Sequence, residues 1–159
     1  MRRLAALWAL ALACAGGRAP QGPATAGGEA LASYQSRAGF TCRVPAHWRV
    51  QERADGASFF GPASGPRPFS TSIAVYRYPK SAFSSAKAYA ALRGGAAKEV
   101  DIAGRRLVEY ESTSLQAREH GYVLTTRDGI IAMVHAAPSG SAEFTEPIFK
   151  ALVESFQFR

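Results

Sequence analysis

The stretch from Tyr122 to His135, YVLTTRDGIIAMVH, constrains the fold more than any other part of the chain. Asp128-Gly129 is a two-residue hairpin signal, and strand alternation sorts the residues around it onto two faces. Counting back from that turn pairs Thr126 with Ile131, Leu124 with Met133 and Tyr122 with His135 on one face. Val123, Ile130, Ala132 and Val134 lie on the other. Both faces are apolar, so the hairpin is expected deep in a sheet with cover on each side.

Turn signals divide the neighbouring sequence into further short strands. Phe40 to Val44 alternates with Phe40, Cys42 and Val44 inward; Pro45-Ala46-His47 interrupts it; Trp48 to Glu52 resumes, with Trp48 and Val50 expected on one face. Asp55-Gly56 predicts a turn into Ala57 to Phe60, and the prolines and glycines of Gly61 to Pro68 predict a loop before a strand from Ser70 to Tyr78. Lys98 to Ile102, Ala103-Gly104 and Arg105 to Ser112 read as another hairpin. Two helices are expected. The first is capped by Ser84 or Ser85, carries a stripe of Ala86, Tyr89 and Ala90, and stops at Gly94-Gly95. The second takes Thr145 as N-cap with Pro147 in its first turn and Phe144 stapled to Phe149, and Phe156-Gln157-Phe158 follows it as a terminal edge strand.

The N-terminus reads as an address. Arg2 and Arg3 precede Leu4 to Ala13, an uncharged run of Ala, Leu and Trp8, the pattern of a secretory signal. The run is too short to span a bilayer, which takes roughly 20 apolar residues. Ala11-Leu12-Ala13 followed by Cys14 is similar to the lipobox of bacterial lipoproteins, although Ala11 stands where that motif usually has Leu. The expected organisation is a signal peptide at 1–13, a flexible linker at 14–36 starting from a lipidated Cys14, and one domain at 37–159. The alternative is a soluble exported protein cut after Ala13 or after Ala24-Thr25-Ala26. Cys42 is then the one remaining thiol, read as a small core hydrophobe. Cleavage after residue 13 lowers the formal charge from +7 to +5, because Arg2 and Arg3 leave. The remaining arginines are scattered and form no basic stripe, so no nucleic acid is expected as partner.

Candidate chemistry is sparse. His47, His120 and His135 share no metal-ligand spacing, so they are expected in separate places and no metal is assigned. Glu109 and Glu111 fall on one strand face with Arg105, which reads as a solvated salt-bridging surface. No Gly-x-Ser-x-Gly occurs, Ser64-Gly65 reads as a turn, and no catalytic residue or cofactor is assigned. Arg67 and Phe69, beside Phe59-Phe60, are a candidate partner-binding pair, since interfaces favour arginine and aromatic residues.

The segment from Phe40 to Val50, FTCRVPAHWRV, resembles the opening F-x-F-x-x-P-x-x-W-x-V of PsbP-like domains and of the related DcrB-like lipoproteins. The strand pair around Ile102-Ala-Gly-Arg-Arg, the Asp128-Gly129 hairpin and the closing helix ending Ser155-Phe-Gln-Phe also sit where that superfamily has them, and the similarity runs from about Gly39 to Arg159. The resemblance implies an α+β fold, an antiparallel β-sheet flanked by helices on both faces (an α/β/α sandwich), with no shared active site. Relatives that bind other proteins imply a non-catalytic protein-binding or assembly domain. With the N-terminal reading, the expectation is a bacterial cell-envelope lipoprotein at the outer membrane facing the periplasm, or otherwise soluble there, held by its lipid and partnered by another envelope protein. The alternative function is a periplasmic ligand- or metal-binding domain using His120, His135 or the Glu109 face.

Overall fold

The computed structural model describes residues 24–62, 70–94, 96–114, 117–138 and 140–159. The expected signal peptide at 1–13, Cys14, Ser64-Gly65, Arg67 and Phe69 lie outside these residues.

Two antiparallel sheets and two helices make up the described chain. The smaller sheet contains β1 (Thr25–Ala26), β2 (Glu29–Gln35), β3 (Phe40–Pro45) and the C-terminal β11 (Gln157–Phe158), in that spatial order. The larger sheet has the order β4-β5-β6-β10-β9-β8-β7, from β4 (Arg49–Arg53), β5 (Gly56–Phe60), β6 (Ser72–Pro79), β7 (Lys98–Ile102), β8 (Arg105–Thr113), β9 (Ala117–Thr126) and β10 (Gly129–Pro138). Helix α1 (Ala86–Leu92) joins β6 to β7, and α2 (Ala142–Ser155) joins β10 to β11.

The β9–β10 hairpin lies inside the sheet, with β10 flanked by β6 and β9. Its side chains divide as alternation requires. Tyr122, Ile131 and Met133 pack with Phe149, Leu152 and Val153 of α2 and with Phe40, Cys42 and Val44 of β3. Val123, Ile130, Ala132 and Val134 pack instead with Ala86, Tyr89 and Ala90 of α1. The α1 stripe is the one expected, and Ser85 caps the helix by accepting from the Ala88 N–H at 3.1 Å. The Ala103-Gly104 turn also falls as expected, with φ of 50° and 73°.

Four local expectations are corrected. Residues 29–35, placed in the linker, form β2, registered on β3 from Leu31↔Pro45 to Gln35↔Thr41. The small, polar composition that suggested a linker conceals a ladder held by backbone pairing. Its anchor is Tyr34, whose ring meets Phe59 edge-on at 5.0 Å. Trp48 and Val50 do not share a face, since Trp48 is buried and Val50 exposed. Trp48 belongs to the turn, its N–H donating to the Pro45 carbonyl, so alternation begins only at Arg49.

Helix α2 starts three residues before Thr145, following a turn in which the Ser141 N–H donates to Pro138. Phe144 is consequently exposed and staples nothing.

The fourth correction is one of register. The hairpin turn is Arg127-Asp128, and Gly129 already pairs with Thr126. A Cβ at Gly129 would stand 2.0 Å from the Tyr78 carbonyl oxygen of β6, so the glycine is needed where two strands approach rather than in the turn. Gly56 repeats the arrangement against the Val75 carbonyl, and the β4–β5 turn is likewise one residue earlier. Moving the turn by one residue shifts every cross-strand pair by two. Faces are preserved, but Met133 now opposes Tyr122 and His135 opposes His120.

Candidate functional site

This register brings together side chains that the sequence kept apart. His120 on β9 and His135 on β10 are Cα partners, and both project from the face that α2 covers. Odd-numbered β8 residues share that face with the buried Leu107, so Glu109 points the same way. At Glu109 the face read as a solvated salt-bridging surface is the underside of α2, whereas at Glu111 it remains exposed and salt-bridged.

Glu146, one turn before Phe149 on α2, supplies the link. Its Oε1 lies 2.5 Å from His120 Nδ1 and its Oε2 lies 3.2 Å from His135 Nδ1. On the opposite side of the ring, His120 Nε2 is 3.0 Å from Glu109 Oε1, which also accepts from the Tyr122 hydroxyl at 2.9 Å. His135 Nε2 is 2.8 Å from Thr145 Oγ1. Phe149 forms the apolar floor, with its ring 5.4 Å from His135, 5.6 Å from His120 and 5.5 Å from Tyr122. Both imidazoles are buried, and Glu146 and Glu109 are partly exposed.

The hydrogen-bond partners determine the proton count. Both nitrogens of His120 face carboxylate oxygens, which only accept when ionised, so both must donate and the ring is an imidazolium. His135 Nδ1 donates to Glu146, and its Nε2 meets the Thr145 hydroxyl, which also donates to the Ala142 carbonyl at 3.4 Å. Burial pulls the His120 imidazole down, but the hydrogen bonds and charges of Glu146 and then Glu109 outweigh it and the net direction is up. Burial likewise opposes ionisation of Glu146, yet its two histidine partners hold the carboxyl at about 2. Tyr122 is raised by burial and then by Glu109, so its hydroxyl remains a donor.

The expectation of three separate histidines is thus corrected for two of them. His47 stands elsewhere, half-exposed in the turn before β4 with Nδ1 3.7 Å from Glu29. All four ring nitrogens of His120 and His135 have protein partners. Among the described residues, no group of three or more His, Cys, Asp or Glu side chains is arranged to hold a metal ion.

The other sequence candidates disperse. Glu111 pairs with Arg118 at 3.0 Å. Arg105 turns away from both glutamates and donates to the Val153 carbonyl at 2.6 Å and to the Phe156 carbonyl. Cys42 is buried as expected, and burial pushes its thiol up to about 12. Glu146 went unnoticed, although a carboxylate three residues before Phe149 and seven before Val153 interrupts an apolar helical stripe and is a readable sign.

A second polar feature lies at the β4 edge of the larger sheet. Arg49 and Arg53 are exposed, with guanidinium carbons 4.5 Å from the centre of the Phe60 ring and 6.0 Å from that of Tyr76. The Tyr76 hydroxyl meets Ser58 Oγ at 2.5 Å, which fixes the ring.

No protein-family model matches the sequence, and no curated protein matches it significantly. Solved structures do resemble it. A crystal structure from Bacteroides thetaiotaomicron aligns with a TM-score of 0.56 at 12% identity, over 80% of this chain and 48% of that one, so this chain spans about half that protein's length. The solution structure of cyanobacterial PsbP from Synechocystis aligns with a TM-score of 0.52 at 15% identity, over 81% of this chain and 92% of that one. The chain therefore has a PsbP-like fold.

Proposed function

We propose that this is an exported cell-envelope protein, anchored through a lipidated Cys14, whose PsbP-like domain is a non-catalytic module that binds another envelope protein. The layering we infer is an α/β/α sandwich, supported by the division of β10 side chains between an α1 cluster and an α2 cluster. The observation that carries the binding role is the arginine-on-aromatic edge of β4, β5 and β6. A guanidinium resting on a ring is held in place while its N–H donors stay free for a partner's carboxylates. Arginine and aromatic residues are also those that interface hot spots favour. Arg67 and Phe69, in the connection between β5 and β6, belong to the same proposal. The buried histidine cluster supports a non-catalytic reading, because its nitrogens are committed to one another's partners rather than presented to a substrate.

The test is recovery of the partner from solubilised native membranes with full-length protein. Arg49→Ala with Arg53→Ala is expected to lower recovery at least about tenfold, the loss of roughly 1.4 kcal/mol of binding, while leaving the fold intact. Equal recovery with this variant removes the binding edge. Intact mass of the membrane-extracted protein is expected to show acylated Cys14, and an unacylated mature mass removes the anchor.

A further inference from the structure

We propose that the Glu109–His120–Glu146 bridge is a proton-operated latch, which pins the first half of α2 to β8 and β9 while His120 is charged and releases it when His120 loses its proton. The argument is one of donors and acceptors. A neutral imidazole has one N–H, and His120 has a carboxylate oxygen within 3.0 Å of each ring nitrogen. Whichever nitrogen keeps the proton, the other turns a lone pair toward an ionised oxygen, and the link from β8 to α2 breaks at one end. Glu109 and Glu146 each keep one other partner, the Tyr122 hydroxyl at 2.9 Å and His135 Nδ1 at 3.2 Å, so the continuous bridge from β8 to α2 is cut whichever end opens.

The surrounding charges do not compensate. On β8, Glu111 is engaged by Arg118 of β9. Tyr122 keeps its proton, and Lys150 of α2 lines the open pocket beside Glu109 and Tyr122 without a hydrogen bond into the bridge. His135 of β10 continues to hold Glu146 and Thr145, which marks the latch as a partial release rather than a loss of the helix. The upward direction of the His120 imidazole agrees with the bridge holding the proton. Movement would be felt beyond the helix. Ala26 of β1 packs on the same apolar cluster as Ile148, so the start of α2 is tied to the segment by which the chain enters the domain.

The test follows ring and helix together in the full chain. His120 is titrated by the chemical shift of its ring proton, and amide exchange is measured from Ile148 to Leu152 across the same pH range, corrected for intrinsic pH dependence. The expected result is a His120 midpoint above the ordinary imidazole value of about 6.5. Above that midpoint, α2 protection is expected to fall by up to about tenfold per pH unit, as linkage to one proton requires. In Glu146→Gln the midpoint should drop and helix protection should lose its pH dependence. A wild-type midpoint at or below the ordinary value overturns the latch, as does α2 protection indifferent to it. Either is measurable even if the variant does not fold.

Discussion

Gly121 shows how much one missing side chain matters here. A Cβ at that position would stand 2.2 Å from Cε1 of Tyr110, a ring with no exposed surface. The ring cannot step aside, because its hydroxyl donates to Glu119 at 2.8 Å and Glu119 is also held by Arg93 from the end of α1. Gly121→Ala should therefore destabilise the domain by about 1–3 kcal/mol, the usual range for overpacking, read as a lower urea midpoint with unchanged slope. Cys42 makes the opposite case, a reactive type rendered inert. It is 2% exposed with its thiol pushed up to about 12 by burial, so thiolate is scarce at neutral pH. Labelling by a thiol reagent should be slow in the native protein and fast in denaturant, and rapid native labelling would contradict this placement.

Helix α2 is held at three places, and each has its own chemistry. The middle buries Ile148, Phe149, Leu152 and Val153, the start is bridged to the sheet by Glu146, and the end is capped from outside by Arg105. The last carbonyls of a helix lack partners within it; the forked guanidinium reaches that of Val153, which also accepts from the Phe156 N–H, and that of Phe156 just past the helix. Arg105→Ala should cost about 1–3 kcal/mol, with Arg105→Lys recovering only part because an ammonium lacks the fork; thermal denaturation of the three proteins checks the order. Helix α1 depends on less. Its seven residues are capped by Ser85, and Ser85→Ala should cost about 1 kcal/mol.

Across the whole molecule the buried network sets a pH window. His120 has its folded value raised, so its contribution is fully present below the ordinary imidazole value of about 6.5 and is lost as pH rises through the folded value. Glu146 is depressed to about 2, so its contribution is present above the ordinary carboxyl value of about 4.3 and is lost as pH falls toward 2. Both operate together between about pH 4.3 and 6.5, and stability is expected to peak there. Urea midpoints from pH 3 to 9 should trace that maximum, and in His120→Gln the decline on the alkaline side should flatten.

Much of this architecture was legible because it rests on local rules. Strand alternation alone divides Val123, Ile130, Ala132 and Val134 from Tyr122, Ile131 and Met133, and helical spacing alone selects Ala86, Tyr89 and Ala90. The same rules place Phe40, Cys42 and Val44 inward and read Phe156-Gln157-Phe158 as a terminal edge strand, of which Gln157–Phe158 is found paired with β3. What the sequence could not determine was register and cover. Gly129 serves as a turn residue in any local reading, and only the carbonyl of Tyr78 on β6, about fifty residues away in the chain, makes it a strand residue. With Gly129 in the ladder beside β6 the turn lies one position earlier, and His120 stands opposite His135 in the polar cluster. Likewise Glu109 reads as a surface carboxylate until α2 lies over it and brings Glu146 down to His120. Periodicity is a property of one chain segment and can be read within it. Hydrogen-bond partners across a sheet or beneath a helix depend on which distant segment arrives, and that is decided only when the whole core packs.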